Sequence, residues 1–182
     1  MIYPIVIYGN PVLKKVALPV PADYPNLEQL ISNMFQTLEK ADGVGLAAPQ
    51  IGLSLRLFVV DLHLMADEIP SLATFKKTFI NAQIISYSED DSLKEEGCLS
   101  LPGISESVRR PNSITINYYD ENWNEKTETF SGFAARAIQH EYDHIDGHVF
   151  VDKVSLIRRQ MLSSKLVAMT KGKFNCRYKF KM

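Results

Sequence analysis

Cysteine is scarce in this sequence, with only Cys98 and Cys176 among 182 residues. At most one disulfide can form, so a fold held together by disulfides is excluded and free thiols are expected. No apolar run approaches the roughly 18 residues that a membrane span requires. The N-terminal stretch MIYPIVIYGNPVL has no basic segment followed by a long apolar one, so no secretory signal is predicted. These absences predict a cytoplasmic protein.

An excess of charge is also lacking, because the formal net charge is only -1. Neither membrane binding nor sequence-specific nucleic acid binding is therefore expected of the whole molecule. The charge is nevertheless uneven, since no acidic residue follows Asp152. An interaction surface for an anionic partner and a solvated basic helix face both fit this pattern. The basic residues beyond that point include Arg158, Arg159, Lys165, Lys171, Lys173, Arg177, Lys179 and Lys181.

The length and an apolar fraction of 46% predict one domain over residues 1–182. Apolar residues recur at spacings of three and four after Asn26, which predicts an N-terminal amphipathic helix with Asn26 as N-cap and Gly43 closing it. A second helix is predicted from Gly132 to about Asp146. A C-terminal helix is predicted over residues 156–169, and a basic tail follows it to residue 182.

The stretches between these helices read mainly as strands. Residues 55–61 and 78–88 are predicted as buried strands, and residues 113–120 and 126–132 as a hairpin. GVGLAAPQIG (43–52) is predicted to be an irregular loop because it is rich in Gly and Pro. The expected fold class is therefore α+β, with mixed or antiparallel sheets around a central helix and further helices at both ends, rather than alternating βαβ units.

QHEYDH (139–144) carries two histidines four residues apart, and these would share one face of the central helix. His140 and His144 could bind one metal ion with Glu141 beside it, as in the H-E-x-x-H pattern of metallohydrolases. A catalytic metal normally takes three protein ligands and keeps one position open. The third ligand therefore decides which kind of site this is.

Both usual protease solutions for the third ligand fail. The extended metalloprotease pattern would place a histidine at position 150, which is Phe150, and no side-chain carboxylate follows Asp152. Upstream carboxylates, Cys176 in the basic tail and Cys98 in KEEGCLSLPG remain. By itself Cys98 would be interpreted as a small buried apolar residue. In a chain with H-E-x-x-H it is the favoured ligand, because Cys-His-His with an open position suits a catalytic metal.

Three stretches resemble the motifs of bacterial peptide deformylases and follow the same order: GVGLAAPQIG (43–52), EGCLS (96–100) and QHEYDHIDG (139–147). The resemblance implies an enzyme that hydrolyses the N-formyl group from N-formylmethionyl nascent peptides and releases formate. That reaction belongs to N-terminal methionine processing in protein biosynthesis.

The resemblance also implies a role for each matching residue. Cys98, His140 and His144 would bind Fe(II) as the physiological ion, with zinc, nickel or cobalt as ions that purified protein can carry. Glu141 would act as general base and then general acid for a metal-bound hydroxide. The side chain of Gln50 and the backbone N–H of Leu99 would stabilise the oxyanion.

Substrate contacts are implied for residues in or near the motifs, namely Gly43, Val44, Gly45, Glu96, Gly97, Phe133 and Ala137. Glu96 and Gln139 are further expected to orient the ligands and the loop. Arg109, Arg110 and Arg136 are candidates for peptide contact, and the sequence does not choose among them. The basic tail would contact the ribosome or form an extra strand.

Two other functions compete with this interpretation. A zinc endopeptidase would need the missing third histidine or downstream carboxylate. A non-enzymatic protein with a structural metal site would need a fourth ligand, and it would have no use for Glu141.

Overall fold

A computed structural model describes residues 1–182 and has the predicted α+β architecture. The three helices are Leu27–Lys40 (α1), Gly132–Ile145 (α2) and Leu156–Thr170 (α3). The nine strands are Ile5–Val6 (β1), Gly45–Ala47 (β2), Leu57–Asp61 (β3), Lys76–Tyr87 (β4), Asp91–Gly97 (β5), Ser105–Pro111 (β6), Ser113–Tyr119 (β7), Glu125–Ser131 (β8) and Phe180–Lys181 (β9). None of the helices is long and apolar enough to cross a membrane.

The strands form three sheets. Five antiparallel strands in the order β2-β3-β4-β7-β8 make the largest sheet, and β5 pairs with β6 in a separate hairpin. β1 and β9 pair in parallel, so the end of the chain lies beside its beginning. Helix α2 packs its alanines and Ile138 with Phe58 and Phe79 of the large sheet, in an apolar cluster that fixes the helix at the centre of the fold.

The N-terminal helix lies where the spacing predicts, but its ends differ in detail. Asn26 precedes the helix with φ of 54° and makes no side-chain capping hydrogen bond. At the other end Asp42, with φ of 53°, takes the left-handed conformation predicted for glycine. Gly43 donates its N–H to the Leu38 carbonyl at 3.1 Å and leads directly into the next segment.

The prediction of an irregular loop over residues 43–52 is wrong. Gly45–Ala47 is strand β2, and Ala48–Ile51 forms a 3-10 turn that is entirely buried. The strand forms because β3 offers it an antiparallel partner, and Pro49 is tolerated because it lies in the first turn of the short helix, where no N–H donor is needed.

The β5–β6 hairpin is not predicted by the sequence. Three of its four buried positions are charged, namely Glu96 on one strand and Glu106 and Arg110 on the other, and only Val108 is apolar. Strand prediction relies on alternation of apolar and polar residues, and buried ion pairs remove that signal.

Candidate metal centre

Two elements bring three metal-ligating side chains together. His140 and His144 project from one face of α2, and Cys98 directly follows β5. One ligand atom from each residue lies within 4.8 Å of the others, and Cys98 Sγ is 3.3 Å from His144 Nε2. No other cysteine, histidine or carboxylate joins this group. A thiolate with two imidazoles suits zinc, iron, cobalt or nickel, so the donor set fits one such ion with a coordination position left open.

The alternative third ligands are engaged elsewhere. Asp146 forms an ion pair with Arg56 at 2.7 Å, and Cys176 donates its thiol to the Tyr178 carbonyl at 3.4 Å. Phe150, where a metalloprotease of the extended pattern has histidine, stacks on the His140 ring at 6.0 Å between centroids. Phe150 thus packs against the metal ligand His140 and provides no metal ligand itself.

Glu96 is the centre of a buried charge network behind the ligands. Its carboxylate accepts two hydrogen bonds from Arg110, at 2.6 and 2.8 Å, and one from Arg136 at 2.6 Å. It also contacts His140 Nδ1 at 3.0 Å, which leaves the Nε2 edge of that ring free to face a metal. Arg110 continues the network to Asp143 of α2 at 2.8 Å. The network therefore ties the β5–β6 hairpin to the helix that carries both histidines.

Burial, hydrogen bonds and neighbouring charges determine whether Glu96 and His144 are charged. Burial alone would raise the pKa of Glu96, but the hydrogen bonds and charges of Arg110 and His140 outweigh it and lower that pKa to about 2. Burial lowers the pKa of His144 well below its usual value, and the neighbouring His140 and Arg110 charges lower it further. Glu96 is thus ionised and His144 is neutral, the form in which imidazole binds a metal.

Glu141 is only 4% exposed, and neither oxygen of its carboxylate accepts a hydrogen bond from the protein. Burial raises its pKa to about 7 and outweighs the nearby charges of His140 and Arg110, which lower it. The carboxylate packs against the backbone of Gly45, where a β-carbon would come within 2.7 Å of the Glu141 Cγ and Cδ atoms. A buried carboxylate with unused acceptor capacity and a pKa near neutrality has the properties of a general base.

Two hydrogen-bond donors lie beside Cys98. Gln50 is 1% exposed; its Oε1 accepts the Ala47 N–H at 2.8 Å, and its Nε2 lies 3.4 Å from Cys98 Sγ. The backbone N–H of Leu99 donates to no acceptor in the protein. The Leu99 N–H is therefore free to donate to a ligand beside Cys98. The Gln50 amide can do so in place of its long contacts with Cys98 Sγ and Ser100 Oγ, both at 3.4 Å.

A cavity of about 280 Å³ opens over the site between β2 and the end of β5. Apart from His144, which lies beneath it, the cavity is lined by every residue that the motifs single out for metal binding, catalysis or substrate contact. Asp42, Glu95 and Arg136 also line it. Asp42 and Glu95 carried no signal in the sequence beyond their position next to motif residues.

Several supporting roles differ from expectation. Gln139, which the resemblance implies orients the ligands, makes no hydrogen bond to a ligand. Its amide donates to the carbonyls of Pro111 and Ala135 and so anchors α2, the helix that carries both histidines, to the end of β6. Arg110 is 2% exposed and fully paired, which removes it as a candidate for peptide contact. Its structural role was hidden in the sequence because its partners lie 14 and 33 residues away.

Comparisons with known proteins agree with this geometry. The family model described as polypeptide deformylase matches residues 2–160. A peptide deformylase of Christiangramia forsetii is 50% identical over 188 residues, covering 100% of this chain and 96% of that protein. A peptide deformylase of Flavobacterium psychrophilum is 48% identical and is covered to 97% of its length, with 100% of this chain aligned.

Solved structures give the same result. The crystal structure of peptide deformylase from Thermus thermophilus matches with a TM-score of 0.83 at 38% identity, covering 94% of this chain and 99% of that one. The peptide deformylase of Legionella pneumophila matches with a TM-score of 0.81 at 36% identity, covering 95% and 98%. With the metal-ligating group in place, these matches show that the chain belongs to the polypeptide deformylase family, metal-dependent hydrolases that remove the N-formyl group from nascent peptides.

Proposed function

We propose that this chain hydrolyses the formamide bond of N-formylmethionyl peptides with one divalent metal ion held by Cys98, His140 and His144. The observation that carries the proposal is the meeting of these three ligand atoms within 4.8 Å beside the buried, unpaired carboxylate of Glu141. A bound ion supplies a Lewis acid that lowers the pKa of water and polarises the formyl oxygen. By resemblance Fe(II) is the physiological ion, and zinc, nickel or cobalt can take its place.

Glu141 takes the proton from the attacking water and later delivers it to the departing amine. An amine is a poor leaving group until it is protonated, so a base that returns its proton suits amide hydrolysis. The pKa of about 7 favours both steps, because the carboxyl can accept and release a proton near neutral pH.

Gln50 and Leu99 stabilise the negative charge that develops on the formyl oxygen. The Gln50 side chain is fixed from behind by the Ala47 N–H, and its Nε2 faces the thiolate side of the site. The Leu99 N–H is free of any protein acceptor. Donors that are oriented before the reaction cost no reorganisation when the charge appears.

The peptide lies extended between two strand edges. β2 has a neighbour only in β3 and β5 only in β6, so both strands offer a free edge to the cavity between them. Backbone pairing with Gly43, Gly45 and Gly97 would add the substrate as a strand. Val44, Phe133 and Ala137 line the cavity and provide an apolar pocket for the methionine side chain.

Charged residues around the cavity have separate roles. We propose that Glu96 orients His140 and does not contact the peptide, since both of its oxygens are engaged. Arg136 lines the cavity, but its guanidinium is bound to Glu96 and to the carbonyls of Ser92 and Val108. Arg109 is exposed and pairs with Asp91.

Ribosome contact through the basic tail is a further proposal, and it rests on charge. The tail does form a strand, β9, but Lys171, Lys173 and Arg177 remain exposed and form no ion pair. Phosphates attract such a surface, and the attraction weakens with salt. Co-sedimentation with ribosomes at rising salt tests it, and salt-independent binding or none would contradict it.

Formate release is the direct test of the proposed function. Anaerobically purified, Fe(II)-loaded protein is expected to release one formate per N-formylmethionyl tripeptide and to leave the N-acetyl analogue intact. Casein provides the control for an endopeptidase. Cleavage of casein without formate release would contradict the proposal.

Replacement of Gly45 by alanine is expected to reduce kcat by about a hundredfold, the cost of a misplacement of about 1 Å in a catalytic group. The added methyl would overlap the Glu141 carboxylate and displace it. Gly97→Ala is the matched comparison, because its β-carbon would meet nothing closer than 3.8 Å and should alter KM more than kcat. Equal kcat values for the two variants would contradict the role of the Gly45–Glu141 contact.

A further inference from the structure

The turn after β5 presents the Leu99 N–H, and hydrogen bonds fix the peptides on both sides of it. The Cys98 carbonyl accepts the Leu101 N–H at 2.9 Å. Because a peptide group is planar, this bond also orients the Leu99 N–H, which shares the plane of the Cys98 carbonyl. The next carbonyl along, that of Leu99, accepts a hydrogen bond at 2.6 Å from the hydroxyl of Tyr178. Tyr178 is the only side chain that holds a carbonyl of this turn.

Main-chain pairing fixes the segment that supplies this hydroxyl. The Lys179 and Lys181 carbonyls accept the N–H groups of Ile5 and Ile7 at 2.8 and 2.9 Å, so the tail is bound to β1. The Tyr178 ring packs half-buried against the main apolar core. Tyr178 lies outside residues 2–160, the part of the chain that the family model matches.

The direction of the hydrogen bond is fixed by chemistry, because a carbonyl oxygen can only accept. Burial raises the pKa of the Tyr178 hydroxyl above its usual value, and the neighbouring Cys176 and Cys98 raise it further. The hydroxyl therefore remains a donor over the whole pH range in which such an enzyme works.

We propose that Tyr178 is a positioning residue for catalysis: its hydroxyl holds the Leu99 carbonyl and thereby keeps the Leu99 N–H aimed at the developing oxyanion. The inference rests on the proposed role of that N–H in formamide hydrolysis. This role makes the C-terminal tail part of the active-site scaffold. It does not depend on any contact of the basic side chains of the tail with other molecules. A fixed donor matters here because oxyanion stabilisation depends on the donor's position before charge develops.

The test is steady-state formate release by full-length, metal-loaded Tyr178→Phe, compared with the unsubstituted protein on the same formylmethionyl tripeptide. Loss of one hydrogen bond of ordinary strength predicts a fall in kcat of about tenfold. KM should stay within about twofold, because the oxyanion forms only in the transition state. The ratio of the two kcat values should be constant from pH 6 to 9, within the range where tyrosine stays protonated.

Tyr24→Phe is the matched control. Tyr24 packs against the same core but lies outside the metal-ligating group and the cavity above it, so removal of its hydroxyl should leave kcat and KM unchanged. Metal content and Tm are measured for each variant. If Tyr178→Phe lowers kcat by less than twofold, the inference is overturned and the proposed function still stands.

Two other outcomes would also overturn it. A loss of kcat that merely follows loss of metal or a lower Tm would show that Tyr178 acts through stability alone. Absence of formate release from the unsubstituted protein would refute the proposed function itself, and the inference with it. A kcat defect at full metal content and unchanged Tm and KM is the result that supports it.

Discussion

Replacement of Glu141 by alanine is expected to reduce kcat by about ten-thousandfold while one metal ion per chain stays bound. The carboxylate makes no hydrogen bond to the protein and is not part of the metal-ligating group, so its removal should leave the ligands undisturbed. The variant loses the group that carries the proton from water to the amine. The expected fall in kcat lies at the upper end of the range for general acid–base catalysis.

Metal content by elemental analysis, measured beside formate release, separates the two roles that a glutamate can have here. Glu141→Ala should match the unsubstituted protein in metal and differ only in turnover. Glu141→Asp is the conservative comparison: it keeps the carboxyl but shortens its reach, so its activity should lie between the two. Loss of metal from the alanine variant would show instead that Glu141 is a ligand.

The central helix could be predicted from sequence because every property that defines it is local. Residues 132–146 have helical spacing, the histidines lie four apart, and Gly147 follows with φ of 79° where a left-handed residue ends the helix. Chemistry then restricted the third ligand, because Phe150 and the lack of later carboxylates removed the protease solutions. The structure places Cys98 beside the histidines, and Cys98 is the third ligand that this elimination favours.

What could not be predicted depends on contacts between distant residues. The β5–β6 hairpin lacks an apolar stripe because its inward positions carry Glu96 and Arg110, whose charges compensate each other only after folding. The sequence of residues 43–52 predicts an irregular loop because a three-residue strand is too short to show an alternation of apolar and polar residues. Only the pairing of β2 with β3 defines the strand. Local pattern carries no information about such partners.

Tyr178 shows the same limit at the site. It lies 79 residues from Leu99 in a segment whose clearest feature is its basic charge. Nothing in the sequence joins a tyrosine in the tail to a turn that follows a cysteine. Only the parallel pairing of β9 with β1 places them together.

Replacement of Cys98 by alanine is expected to abolish formate release by removing the metal ion. Two imidazoles remain, and two protein ligands do not make a normal catalytic site. Loss of a hydrogen-bond partner of a ligand typically weakens metal binding by about 10- to 100-fold, so loss of the ligand itself should exceed about a hundredfold. Dialysis against a graded series of chelator concentrations, followed by metal analysis, measures the affinity directly.

Cys176→Ala is the matched control, because it removes the only other thiol from a position outside the metal-ligating group. It should keep both metal and turnover. Unchanged metal affinity in Cys98→Ala would mean that a different residue completes the site. The structure leaves little room for that result: Asp146 is paired with Arg56, and Asp143 is paired with Arg110 and Lys153. Those carboxylates are paired with cations, and Glu141 lies outside the metal-ligating group. Cys98 is thus the anionic side chain that joins both histidines, and binding of the ion should depend on it.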